Sequence, residues 1–183
     1  MTSLIAQMSC ALLSWLASET CEVDRKSLAA PVASAGRVGR VTGLAIPRFV
    51  SLKSSAARLR IGPSTDYPII WLYVTPGLPL EVVEETGNWR MVRDADGAIG
   101  WMSAALLSGQ RMATVGNWLG SNTALRTAPA TAAPERASLQ SGVLLKLVHC
   151  DGTWCEVTVR RHGLSGYVRQ VDLWGAYRNE VVS

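Results

Sequence analysis

The feature that most constrains this chain is an internal repeat. Ala57-Arg58-Leu59-Arg60-Ile61-Gly62-Pro63 matches Thr123-Ala124-Leu125-Arg126-Thr127-Ala128-Pro129 at an offset of 66. Pro68 matches Pro134 at the same offset. Gly77 then matches Gly142, and Gly87-Asn88-Trp89 matches Gly152-Thr153-Trp154, at an offset of 65. Gly100-Trp101-Met102 and Gly166-Tyr167-Val168 return to 66, as do Gly109 and Gly175. One deletion and one insertion reconcile the copies, and loops absorb such changes. Each unit is therefore short, near the size at which a single core is barely sufficient. Phe occurs once in the chain and Trp seven times, so large indole surfaces must do much of the filling.

Each copy reads as short strands. Leu78 to Glu84 and its counterpart Val143 to His149 alternate apolar and polar residues for part of their length. Trp89 to Arg93 and Trp154 to Val159 alternate more clearly. Gly87-Asn88 and Asp151-Gly152-Thr153 between them are hairpin-turn chemistry. Asp94 to Ala98 and Arg161 to Gly163 predict the next hairpin tips, and Ser103 to Leu107 a short helical turn. Strands of about five residues at this spacing predict an all-β chain of small barrels.

The ordered series Leu59-Arg60-Ile61-Gly62-Pro63, Gly77, Gly87-Asn88-Trp89 and Gly100-Trp101 resembles the bacterial Src-homology-3 (SH3-like) domain. The second copy departs from it with Ala128 in place of Gly and Tyr167 in place of Trp. The resemblance implies two tandem five-stranded SH3-like barrels, over residues 49–110 and 111–177, behind a signal-like segment and linker over 1–48. It also implies recognition of cell-wall peptide or glycan, or of protein peptides, by a protein of the cell envelope.

Cys150 and Cys155 flank a hairpin turn in CDGTWC, so they lie on antiparallel strands and can face each other. Cross-strand neighbours sit about 4.5–5.5 Å apart, within reach of a disulfide. Free thiols remain open. So does a metal site recruiting His149 and His162, although His149 should face away from Cys150. A redox pair lacks the Cys-x-x-Cys spacing and the helix start. A disulfide implies an oxidising compartment.

Leu4 to Ala17 is the most apolar run and has the length of a signal-peptide core rather than a membrane span of about 20 residues. No Lys or Arg precedes Arg25, and Ala33-Ser34-Ala35 is a distant cleavage candidate. Cys10 falls inside the apolar run, and Cys21 would be an unpaired thiol. With the cysteine pair, the segment predicts export to the periplasm or envelope, with no stable transmembrane span in the mature chain. The net charge of +4 is spread without a run of five like charges. That, and the small size of Arg160-Arg161-His162, argues against nucleic-acid binding.

The first function expected is therefore non-catalytic binding of peptidoglycan or envelope protein peptides. Alternation along residues 67–73 predicts Tyr67, Trp71 and Tyr73 on one strand face with Arg60 nearby, a surface for a peptide or a sugar ring. The second copy has Ala133, Ala137 and Leu139 there. The competing expectation is that Trp71 and Tyr73 pack against the other barrel or the N-terminal segment. Trp89, Trp101 and Trp154 are expected to be core. No catalytic triad, phosphate loop or spare catalytic domain is visible, so an enzyme is not expected. Glu84-Glu85 and Asp94-Asp96 read as solvated surface. No cofactor or metal is called for. The alternative to ligand binding is a structural or assembly role through protein–protein contacts.

Overall fold

A computed structural model describes residues 36–183. The apolar segment, Cys10, Cys21 and the Ala33-Ser34-Ala35 site lie outside the described residues. The chain is all β, as the repeat predicts. A small antiparallel hairpin comes first, β1 (Arg37–Val38) with β2 (Ala45–Ile46). The stretch expected to be linker through residue 48 thus contains structure from residue 37 onward.

The first barrel comprises β3 (Arg48–Leu52), β4 (Ala57–Arg60), β5 (Ile69–Tyr73), β6 (Pro79–Thr86), β7 (Trp89–Arg93), β8 (Ile99–Ser103) and β9 (Leu107–Ser108). A short 3₁₀ turn over Ala104–Leu106 joins the last two, as expected from the sequence. The second comprises β10 (Met112–Val115), β11 (Thr123–Arg126), β12 (Glu135–Leu139), β13 (Leu144–Asp151), β14 (Trp154–Val159), β15 (Ser165–Arg169), β16 (Leu173–Trp174) and β17 (Val181–Val182). The two sheets run in the same order. It is β5-β4-β8-β7-β6-β3-β9 in one and β12-β11-β15-β14-β13-β10-β16 in the other. Strand β17 adds to β13, so the second barrel reaches residue 182 rather than ending at 177.

Each curled sheet encloses its own apolar core. Leu52, Leu59, Leu80, Val82, Val92 and Met102 fill the first. Leu125, Leu145, Leu147, Val157, Val168 and Leu173 fill the second. Gly100 and Gly166 let the strands close. A Cβ on Gly100 would lie 2.7 Å from the Arg60 carbonyl oxygen, and one on Gly166 would lie 2.6 Å from that of Arg126. Only glycine lets those backbones approach so closely. Trp101 and Trp154 are buried, in line with the core role expected of them, whereas Trp89 is only half-buried.

The barrels are not beads on a string. Phe49 of β3 meets Trp174 edge-on at 5.3 Å between ring centroids and Tyr177 at 4.7 Å, and all three are buried. The Trp174 indole donates to the Pro79 carbonyl at 3.3 Å. Tyr177 donates its hydroxyl to the buried Glu81 at 2.9 Å, and Arg93 pairs with the same carboxylate at 2.5 Å. Burial, and then the Glu81 charge, push the Tyr177 hydroxyl well above its ordinary range.

Candidate functional site

The Leu-Arg of the repeat has a structural task in both copies. In each barrel a bulge follows the leucine, at Leu59/Arg60 and at Leu125/Arg126. The arginine then reaches across the following loop to a carbonyl seven residues on. Arg60 Nη1 donates to the Tyr67 oxygen at 2.6 Å, and Arg126 Nη1 to the Ala133 oxygen at 2.8 Å. A charge-assisted bond in the same place twice points to loop closure. Arg60, expected as a ligand contact, is already engaged in holding Tyr67 in place.

The bulge also redistributes the aromatic residues. Trp71 lies opposite Leu59 and Tyr73 opposite Ala57, on the side of the sheet that faces the core. Ile69 lies opposite Arg60, beyond the bulge, so the simple alternation from 67 to 73 does not persist. Tyr73 packs against the core, and its hydroxyl donates to Asp94 at 2.6 Å. Burial, then that carboxylate, push the Tyr73 hydroxyl well above its ordinary range. Tyr67 precedes the strand, and its ring covers Gly62, where a Cβ would lie 2.5 Å from it. Trp71 is 59% exposed among the described residues and is not part of the inter-barrel seam, which is built from Phe49, Trp174 and Tyr177; the apolar N-terminal segment, the other cover expected of it, lies outside the described residues.

What remains open on the first barrel, among the described residues, is an apolar edge strand whose side chains lie on both sides of the sheet. Ile69, Ile70, Trp71 and Leu72 are all exposed, with Tyr67 before them and Val74 after. Ile61 and Ile99 extend it. The second barrel presents Glu135, Arg136, Ala137 and Ser138 at the matching strand positions. The candidate surface therefore belongs to one barrel only. Tyr67 and Trp71 are its aromatic members, Arg60 stands behind it, and Tyr73 is withdrawn from it.

Of the paired acids expected as solvated surface, Glu84 and Asp96 are exposed, but Glu85 and Asp94 are buried. A bulge between Val82 and Glu84 turns Glu84 out and Glu85 in. The buried Glu85 carboxylate accepts from the Thr42 hydroxyl at 2.7 Å and the Thr42 and Val41 amides at 2.9 and 3.2 Å. Arg48 pairs with it at 2.6 Å and Arg90 at 3.6 Å. Burial alone would raise its pKa. The Thr42, Arg48 and Val41 hydrogen bonds overcome that and bring it to about 2. Asp94 is likewise buried, accepting the amides of Asp96 and Ala98 at its hairpin tip.

The same bulge recurs in the second barrel between Leu147 and His149, and it turns Cys150 inward to face Cys155. The two are joined by a disulfide and are fully buried. In register, Cys150 and Cys155 stand where Glu85 and Arg90 stand in the first barrel. The clasp of one copy is covalent and that of the other ionic. His149 pairs with Glu156 and is exposed, on the face away from the cysteines. Among the described residues no group of three His, Cys, Asp or Glu could hold a metal ion. Replacing both cysteines by Ser is expected to lower stability by about 2 kcal/mol, the chain-entropy value for so short a loop. Urea midpoints with and without dithiothreitol check it. Reductant should shift the parent by the same amount and leave the double variant unmoved.

A cavity of about 890 Å³ lies where Thr75 and Pro76 approach the second barrel, lined there by Leu139, Leu144, Arg160 and His162 among others. Arg160 donates to the Pro76 carbonyl and so bridges the two barrels. The small basic patch is thus partly consumed by the joint. No helix among the described residues is long and apolar enough to cross a membrane.

Two curled sheets of one order, the first with an exposed apolar edge strand, define a tandem small-barrel protein. The bacterial SH3 domain family model matches residues 53–109 and again 120–175, more than half of the chain, and the chain belongs to that family. No curated protein matches it. Among solved structures, the chain is similar to NlpC2 of Trichomonas vaginalis at 12% identity, covering 70% of this chain and 48% of that one, with a TM-score of 0.30. An NlpC/P60 family protein of Bacillus cereus ATCC 10987 matches at 16% identity, 72% and 57% coverage and a TM-score of 0.30. NlpC1 of Trichomonas vaginalis matches at 11% identity, 79% and 51% coverage and a TM-score of 0.31. The chain spans about half the length of these proteins, and likenesses this distant carry no argument.

Proposed function

We propose that this chain is a non-catalytic binding module of the cell envelope, which recognises cell-wall peptide or glycan, or an envelope protein peptide. The observation that carries the reading is the apolar edge strand around Trp71, which the described residues leave open. A monomeric soluble protein rarely leaves so many large apolar side chains open together without a use for them. An exposed indole stacks on a sugar ring or takes an apolar peptide side chain. The buried disulfide supports an oxidising compartment and therefore export. The acidic residues that could serve catalysis, Glu81, Glu85 and Asp94, are engaged in internal bonds, which supports a binding role.

The experiment is retention of the full chain on purified peptidoglycan sacculi, with Trp71→Ala alongside. The parent is expected to be retained. The variant should lose tenfold or more, while its urea midpoint stays put because Trp71 is outside the core. A folded parent that washes off completely would overturn the wall reading. The assembly alternative is favoured by one separate feature, the unpaired edge of the same strand.

A further inference from the structure

We propose that the cleft between the two barrels binds a short peptide that presents a carboxylate beside apolar side chains, with Arg161 and His162 receiving the carboxylate. The carboxylate is either a chain end or an Asp or Glu side chain. The site is separate from the strand around Trp71 and does not rest on the wall-binding reading.

The two copies of the repeat differ in sign at one hairpin tip. Asp94 donates its amide to the Ala98 carbonyl in the first barrel, and Val159 to that of Leu164 in the second, so these tips correspond. The tip from Asp94 to Gly97 carries two acids. The tip from Val159 to Gly163 is one residue longer and carries Arg160, Arg161 and His162. In the first barrel the acids shape the tip. Asp94 accepts the amides of Asp96 and Ala98, and Asp96 accepts from Asn117. In the second the backbone alone closes it, because the His162 and Gly163 amides donate to the Val159 carbonyl at 3.2 and 2.9 Å. The basic side chains are therefore not needed for the turn. Arg160 has another task, since it bonds Pro76 and packs over Gly77. Arg161 and His162 remain. Both are exposed, and neither side chain makes a hydrogen bond or ion pair among the described residues.

Both line the cleft of about 890 Å³, a volume within the range of small-ligand sites, roughly 300–1,000 Å³. Leu139, Leu144, Val159 and Leu164 give it apolar walls, and Thr75 and Pro76 bring the first barrel to it. Among the described residues no acidic side chain lines it, and no aromatic one. Two unpaired basic groups without a competing acid select an anion. Without an aromatic platform a sugar ring or a base has nothing to stack on. Ser138, Gln140 and Ser141 add hydroxyls and an amide, which suit peptide bonds better than an acyl chain. Ala137 to Leu139 belong to the terminal strand of the second sheet, past its bulge, and pair with β11 alone. Their outer amides and carbonyls have no strand partner and can take those of a peptide. Arg161 then meets the carboxylate with a permanent charge and a planar fork of donors, and His162 with a ring N–H.

Titration calorimetry of the full chain with three N-acetylated peptides tests this. Ala-Leu-Ser-Leu carries a free C-terminal carboxylate. Ala-Leu-Glu-Leu amide carries only a side-chain carboxylate, and Ala-Leu-Ser-Leu amide carries neither. At least one of the first two should bind tenfold or more tighter than the third, and which one does names the source of the carboxylate. Arg161→Gln with His162→Gln should reduce that peptide to the level of the uncharged one. The urea midpoint should not move, because both side chains are exposed. Arg169→Gln, an exposed arginine outside the cleft, should leave the preference unchanged. So should Trp71→Ala. Three peptides of equal affinity, or none bound at about 1 mM, overturn the proposal. So does a carboxylate preference that survives the double variant, or one that Arg169→Gln abolishes equally. Failure here leaves the wall reading standing, since that reading is judged by sacculus retention and its loss in Trp71→Ala.

Discussion

Glu85→Ala is expected to destabilise the first barrel by about 3–5 kcal/mol, the range for removing one partner of a buried ion pair. Arg90 is buried beside it and would be left without its counter-ion. Arg48, and the amides of Val41 and Thr42, would lose their acceptor. The β1–β2 hairpin should then detach, since that carboxylate is what ties residues 41 and 42 to the barrel. Glu84→Ala, one residue away and exposed, should change stability by less than about 0.5 kcal/mol. Urea unfolding of the two variants against the parent provides the measurement. Equal midpoints for Glu84→Ala and Glu85→Ala would sink the assignment.

The same carboxylate gives the pH dependence a sign. Its pKa in the folded chain is about 2, against an ordinary value of 4.5. The folded value is the lower, so the unfolded chain takes up the proton first as pH falls. The stabilisation is full above about pH 4.5 and is lost progressively toward pH 2. The parent's urea midpoint should therefore fall over that window more steeply than that of Glu85→Gln, which has no proton to take up. Parallel curves would place the acid sensitivity elsewhere.

The repeat made most of the fold legible. Its glycines and prolines sit at turns and close approaches whose geometry is local, so matching them across an offset of 65 or 66 located the β6–β7, β7–β8, β13–β14 and β14–β15 hairpins, though not the β1–β2 hairpin that precedes the repeat. The Cys150–Cys155 pair was readable for the same reason, because a two-strand turn fixes the register beside it. The bulges were not readable. One extra residue at Leu59/Arg60 or after Val82 reverses the faces of everything beyond it. That is why the alternation from Tyr67 to Tyr73 misplaced its members and why Glu85 was expected in solvent. Arg60 carried a usable signal that composition alone hid. Arg126 repeats it although the aromatics around it do not recur, and a residue kept in both copies without its neighbours serves the common fold.

The seam between the barrels was the least legible feature, because no local pattern specifies which surface of one barrel meets the other. Its test is Phe49→Ala. Phe49 is the only phenylalanine of the chain, is buried, and lies between Trp174 and Tyr177. Removing a buried aromatic side chain is expected to cost about 3–5 kcal/mol, transfer and cavity terms together. The loss should fall on the coupling between barrels rather than on either core, because the ring belongs to neither core cluster. Calorimetry of the parent should show one cooperative transition, and the variant should show two, one per barrel. Tyr177→Phe should act more mildly, by about 1.5–3 kcal/mol, since it removes one hydrogen bond to the charged Glu81 and leaves Arg93 in place. The physical reason to expect uncoupling is the geometry of Glu81. Its carboxylate belongs to β6 of the first barrel and its hydroxyl donor to the tail of the second. The charge is therefore fully satisfied only when the barrels are docked. A Phe49→Ala chain that still melted in a single transition at an unchanged midpoint would show that the barrels are joined by something other than this seam.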